Sequence, residues 1–259
     1  MINYTFSLVD FEILLLVLVR ISCFVFVAPF YGMGNVPARV KIGLSVVIAI
    51  LVSGFADQSA ITYTGVIGYA VIVLREGITG LLIGLAASIC NSIILFAGNI
   101  IDMDIGLAMA QEFDPMMKTQ VTITGNLYQY FLLLLMLVTN MHHYILRALI
   151  DSYQVIPVNG QVFDWSVIAD SWVQFMGDMF VIAFRIVLPV FACMMILNCI
   201  LGIMAKVAPQ MNMFAVGIQL KVLLGMAVLF LTVMLLPGIA DFIFTEMKRM
   251  VVSMIEGMY

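Results

Sequence analysis

Six apolar stretches, near residues 11–30, 42–56, 66–100, 127–150, 179–205 and 222–240, decide what this chain can become. A helix needs about 20 residues, or about 30 Å at 1.5 Å per residue, to cross the hydrocarbon of a bilayer. Too little polar sequence lies between the stretches to cover a water-soluble globule. Of 259 residues, 64% are hydrophobic and 10% charged, where a soluble domain has about a quarter charged. An all-α membrane protein is expected. The opening "MINYTFSLVDFEILLLVLVRIS" has no basic leader, and its apolar run outlasts that of a cleaved signal peptide, so a retained first helix is expected. A net charge of -4 provides no basic face for nucleic acid.

The stretches make poor ordinary crossings. The second is short and the third long, and the third is cut at "LREGITG" (74–80). Arg20 lies inside the first, Arg185 inside the fifth, and Lys221 abuts the sixth. A charge at the bilayer centre costs about 2.5–3.5 kcal/mol even on insertion scales. These helices are therefore expected to face protein, with Arg75 and Glu76 as an intramembrane ion pair held among partners. "APFYGMGNVPAR" (28–39) must turn, Pro189 is expected to break the fifth stretch, and Pro209 and Pro237 punctuate the last third. Broken helices survive at membrane depth only where protein or a wet cavity satisfies their backbone. Gly77, Gly80 and Gly84 place small residues on one face for close packing. If all six stretches cross, Arg39, Lys41, Lys118, Lys206 and Lys221 fall on one side, against Arg147, Lys248 and Arg249. That bias puts the first set in the cytoplasm.

Chemistry is sparse. The chain has no HExxH, GxSxG, Walker or GxGxxG pattern, so no enzyme, cofactor or metal is expected. Asp102 and Asp104 form a DxD pair that reads as solvated acids beside a loop. His142 and His143, adjacent on a helix, point about 100° apart and make no two-histidine ligand set. The four cysteines (Cys23, Cys90, Cys193 and Cys199) sit in apolar runs and read as buried, inert thiols. An autonomous ion- or proton-coupled carrier is the alternative, with Arg75–Glu76 as its membrane pair.

Between two apolar runs lies "IGLAMAQEFDPMMKTQ" (105–120), which suits neither lipid nor open water. Its "GLAMAQEFDP" (106–115), together with "APFYGMGNVPARVKIGLS" (28–45), "NMHHYILRAL" (140–149) and "LGIMAKVAPQMNMFAVGIQLKVLLG" (201–225), resembles the FliR family of flagellar biosynthesis proteins and their injectisome counterparts. The likeness runs in order through nearly the whole chain, and "MAQEFDP" leans flagellar.

The resemblance implies a single-copy subunit of a type III export gate in the bacterial inner membrane, at the flagellar basal body. Five copies of one partner and four of another would complete a helical hetero-oligomeric channel built of kinked, broken helices and helical hairpins. It implies that residues 1–150 fold like the five-copy partner and 151–259 like the four-copy partner. Unfolded flagellar subunits would pass through the channel. Residues 106–115 would plug it. Gly106, Ala108 and Ala110 permit close approach, Leu107, Met109, Phe113, Met116 and Met117 give soft apolar surface, and Asp114 keeps one edge wet. Lys206, Pro209, Gln210 and Asn212 would form a turn at the cytoplasmic mouth, facing the export platform.

Overall fold

The computed structural model describes residues 8–54, 63, 65–107, 122–208, 210 and 212–259. Among them the regular elements are all helical: α1 (Leu8–Val27), α2 (Ala38–Ser53), α3 (Gly65–Ile105), α4 (Ile123–Val138), α5 (Met141–Val155), α6 (Trp165–Val207), α7 (Met213–Thr232), a 3-10 turn (Val233–Leu235) and α8 (Leu236–Glu256). This is the all-α membrane class read from the apolar stretches. The described residues give three spans long and apolar enough to cross a membrane, or four if the bent α4–α5 pair is one span. The other apolar stretches do not meet that length and hydropathy test among the described residues. α1 carries Asp10, Glu12 and Arg20 within its 20 residues, and α2 has only 16.

Three local expectations change. α3 is not cut at "LREGITG" but continues for 41 residues, about 60 Å along its axis. Its glycines serve helix approach rather than a break. α6 likewise runs for 43 residues with Pro189 inside it. A proline removes one backbone bond and costs about 3 kcal/mol, but unwinding the helix in apolar surroundings would strand more backbone groups. Conversely, the stretch at 127–150 is two helices bent by 68°. Asn140 takes φ 56 there, a left-handed conformation that its short polar side chain tolerates.

The chain divides into two compact units, one of Met1–Cys90, Asn140–Phe175 and Thr245–Tyr259, the other of Asn91–Thr139 and Met176–Phe244. In the first, α1 buries Ile13, Leu16, Val17, Ile21, Phe24 and Val25 at helical spacing. α3 lies against it through the glycine stripe. Gly77 faces Val19 and Cys23, Gly80 has its Cα against the Arg20 carbonyl, and Gly84 meets the Phe24 backbone. A Cβ at Gly80 would collide with the Arg20 carbonyl oxygen. The 28–37 turn is fixed from inside. Buried Lys41 donates to the Gly32 carbonyl at 2.9 Å, and the Tyr31 hydroxyl donates to the His142 carbonyl at 3.0 Å. Lys41 is therefore an interior cation and not a loop charge for topology counting.

In the second unit, α3 and α4 meet backbone to backbone, since a Cβ on Gly98 would strike Gly125. Ile105 fills the place a side chain at Gly225 would need. The Tyr128 hydroxyl bonds Thr232 Oγ1 at 2.9 Å, and Phe96 meets Phe180 edge-on with centroids 5.6 Å apart. Of the four thiols only Cys90 is buried, and Cys199 is exposed.

Candidate functional site

The most polar interior point of the first unit is built around Glu76, and its partner is not Arg75. Neighbouring helical residues diverge by about 100°, so Arg75 points outward and is exposed while Glu76 turns inward. Glu76 meets Arg20, one turn from the Gly80 crossing on the facing helix. Arg20 Nε donates to Glu76 Oε2 at 2.6 Å, with both side chains fully buried. The other carboxylate oxygen accepts the Asn159 backbone N–H at 3.0 Å and Gln161 Nε2 at 2.5 Å. Arg20 Nη1 donates to the Ile156 carbonyl at 3.1 Å. Its guanidinium lies 4.2 Å from the Tyr153 ring centre, whose hydroxyl in turn reaches the Val17 carbonyl at 3.2 Å.

A buried pair of this kind is tolerated where further hydrogen bonds supplement the ion pair, here on Glu76 Oε1 and on Arg20 Nη1, and losing one partner costs about 3–5 kcal/mol. The groups it satisfies belong to the connection between α5 and α6. Asn159 adopts φ 65 within it, and the same connection is held by the end of the chain. Val162 N–H donates to the Met258 carbonyl at 3.2 Å, and Asp164 N–H to that of Gly257 at 2.9 Å. Asp164 then caps α6, accepting from the Ser166 hydroxyl at 2.6 Å and from the Ser166 and Val167 amides at 3.0 and 3.4 Å. The Ser166 hydroxyl, followed by those amides, holds the Asp164 carboxyl below the usual aspartate range.

Of the segment expected to act as a plug, Gly106 and Leu107 are described; Ala108, Met109, Ala110, Phe113, Asp114, Met116 and Met117 lie outside the described residues. Gly106 takes φ +89 just after α3 ends, a conformation open to glycine at no steric penalty. On the far side, α4 starts without a side-chain cap from its own Thr122. Asp102 of α3 supplies one, both carboxylate oxygens accepting the Thr124 N–H at 3.3 and 3.2 Å. Asp102 is thus a buried helix cap and not a solvated acid. At the expected mouth turn Lys206 and Gln210 are exposed, Pro209 lies outside the described residues, and Asn212 caps α7 by accepting the Ala215 N–H at 3.4 Å.

Sequence reasoning missed Arg20 as the partner of Glu76, and Asn159, Gln161 and Asp102 as ligands of charge or helix end. The signal for Arg20 was present, as a cation inside an apolar run that needs an anion on another helix. Among the described residues no three His, Cys, Asp or Glu side chains converge as metal ligands would. The node can hold shape; nothing in it presents a nucleophile or a proton acceptor to a substrate.

Residues 11–247 match the family model of bacterial export proteins, family 1. The chain is 32% identical over 219 residues to the flagellar biosynthetic protein FliR of Bacillus subtilis (strain 168), covering 83% of this chain and 84% of that one. It is 27% identical over 231 residues to FliR of Pectobacterium carotovorum subsp. carotovorum (88% and 87% covered). With FliR of Escherichia coli (strain K12) it shares 24% over 243 residues (92% and 91%).

Proposed function

Because this chain belongs to the bacterial export proteins of family 1, we propose that it is the single-copy subunit of the flagellar protein-export gate. At the coarser level it is a FliR-type membrane component of the flagellar export apparatus, working in flagellum biogenesis and protein export. In the finer reading it joins five copies of one partner and four of another in the inner membrane at the basal body. Residues 1–150 fold in the manner of the first partner and 151–259 in that of the second. Unfolded flagellar subunits pass through the channel, and 106–115 closes it at rest. The turn with Lys206, Pro209, Gln210 and Asn212 faces the export platform in the cytoplasm. No catalysis is assigned.

The family match across 11–247 carries this reading. Two physical features support it. α3 and α6, about 60–65 Å long, are twice the hydrocarbon thickness of about 30 Å, which suits a channel protruding from the bilayer. The Asp102–Thr124 tie holds together the described ends that flank this segment, which supports a segment anchored on both sides. The carrier alternative needs Glu76 free to exchange a proton or ion. Three donors already occupy it, which weighs against that role.

Deleting 106–115 tests the plug. The assembled gate, expressed with its partners, should then leak ions at rest. Unchanged resting permeability with normal assembly would remove the plug from the reading.

A further inference from the structure

We propose that the Arg20–Glu76 node is a positioning site for assembly, setting where the C-terminal hairpin region leaves the N-terminal one. This deepens the export-gate reading and rests on it. Arg20 and Glu76 come from α1 and α3, within residues 1–150. Everything else they hold comes from just beyond that boundary: the Ile156 carbonyl, the Asn159 amide and the Gln161 side chain. The next residues, Val162 and Asp164, are pinned to the backbone of 257–258, and Asp164 starts α6. The connection at 156–164 is therefore fixed at both of its ends. One end is held by a buried charge pair, the other by a short backbone pairing with the last residues of the chain.

Stability alone does not account for this arrangement. A buried ion pair replaced by apolar residues of similar volume is often as stable or more so. What such a replacement cannot reproduce is directional bonding to Ile156, Asn159 and Gln161. Gln161 Oε1 and Arg20 Nη2, both buried, have no hydrogen-bond partner, so the polar groups are not optimised for energy. Asn159 is held at φ 65, a backbone state of a few per cent in non-glycine residues. Two hydrogen bonds to Glu76 oppose its relaxation: one from its own amide, one from Gln161 two residues on. The design spends polar groups on a direction.

The test compares Arg20→Met/Glu76→Leu and Glu76→Gln with the parent, each as the full chain co-expressed with the other export-gate subunits. Two quantities are read, the amount of membrane-inserted chain and the fraction that co-purifies with those subunits. Glu76→Gln keeps an acceptor for Asn159 but leaves the buried Arg20 cation without its anion, so it should co-purify less than the parent, and parental co-purification counts against the proposal. Arg20→Met/Glu76→Leu should insert normally but co-purify at least about tenfold less, the loss expected from abolishing even one of the three charged hydrogen bonds to the connection. Co-purification of the apolar double variant at the parental level overturns the proposal. Should that variant fail to insert, Gln161→Leu is the second probe, read by proteolysis of the 156–164 connection in the full chain. Cleavage there with the parent resistant supports the proposal, and equal resistance overturns it. A parent chain that does not co-purify with export-gate subunits at all refutes the export-gate reading instead.

Discussion

The three glycines of α3 make a graded series of substitutions whose order follows from how much room each has. Glycine to alanine in a helix interior gains about 0.8–1.0 kcal/mol from propensity alone. At Gly77 a Cβ would stand 3.6 Å from both Cys23 Sγ and Val19 Cγ1, ordinary contact, so Gly77→Ala keeps the gain. At Gly84 it would lie 3.1 Å from the Phe24 carbonyl oxygen and 3.3 Å from its Cα. Backbone must then give by tenths of an ångström, and gain and strain roughly cancel. At Gly80 the new carbon would overlap the Arg20 carbonyl, with no flexible side chain to move. The helices must part, at an overpacking cost of about 1–3 kcal/mol. Glu76 stands one turn earlier on the same face, so parting also stretches the 2.6 Å Arg20–Glu76 bond, a pair whose rupture costs about 3–5 kcal/mol. Net of propensity, Gly80→Ala should destabilise by about 2–4 kcal/mol. Relative to Gly77→Ala, which keeps its gain, the gap is about 3–5 kcal/mol, and at about 2–4 °C per kcal/mol for a chain of this size Gly80→Ala should melt roughly 6–20 °C below it. Heating the purified full-length proteins in one detergent, followed by far-UV circular dichroism, reads the difference. If Gly80→Ala and Gly77→Ala melt within a degree of each other, the backbone-to-backbone crossing of α1 and α3 is wrong.

Asp102→Leu should remove the only side-chain cap that α4 has among the described residues and destabilise its first turn by about 1–2 kcal/mol; amide exchange at Thr124 should accelerate, and unchanged exchange would refute the cap. The Asp164 cap should depend on pH in one direction. Its folded pKa is lowered, chiefly by the Ser166 hydroxyl, so its contribution is complete above the ordinary aspartate value of about 3.9. That contribution is lost as pH falls through the lowered folded value. Protection of the Ser166 and Val167 amides, corrected for intrinsic exchange, should therefore drop in strong acid and hold at neutral pH. Asp164→Asn should abolish the dependence, and a flat profile in the parent would count against the cap.

What the sequence revealed, it revealed through short-range spacing. Gly77, Gly80 and Gly84 recur at three and four residues, so their shared face is legible without a partner in view. The turn at 28–37 is written in its prolines and glycines. Glu76 is different. Its partner lies 56 residues away, and nothing local distinguishes Arg20 from Arg75 except that adjacency on a helix forbids the obvious pairing. Asp102 posed the same difficulty, because its ligand is a backbone N–H 22 residues on and no side-chain pattern records it. Pro189 misled for a physical reason: the rule that proline breaks helices is calibrated where water can satisfy the freed carbonyl, and an apolar setting raises the penalty for unwinding. Asn140 carried a readable signal, since asparagine is among the few residues that accept φ > 0. It stood inside an apolar run long enough to look like one helix.

α2 shows why the buried polar groups matter to a protein of this kind. Its inward face carries Lys41 and Ser45 beside Ile48, Ala49 and Val52, while Val40, Ile42, Val47, Ile50 and Leu51 are exposed. A helix in water would turn Lys41 outward. This one turns its apolar residues outward, a face suited to an apolar covering. Lipid alone fits poorly, because 16 residues reach about 24 Å, short of the hydrocarbon thickness of about 30 Å. Neighbouring protein helices fit a short apolar face, and the proposed export gate would supply them. Apolar contact in such surroundings discriminates little between partners or registers, since lipid tails are as apolar as leucine. Direction must then come from the inside, from bonds with fixed geometry. The bonds that have it are Lys41 to the Gly32 carbonyl, Asp102 to the Thr124 amide, and Glu76 to Arg20, Asn159 and Gln161. Together they fix the turn at 28–37, the start of α4 and the approach to α6. In this fold the greasy surface says only that something must cover it; the few interior charges determine how the chain is presented to whatever does.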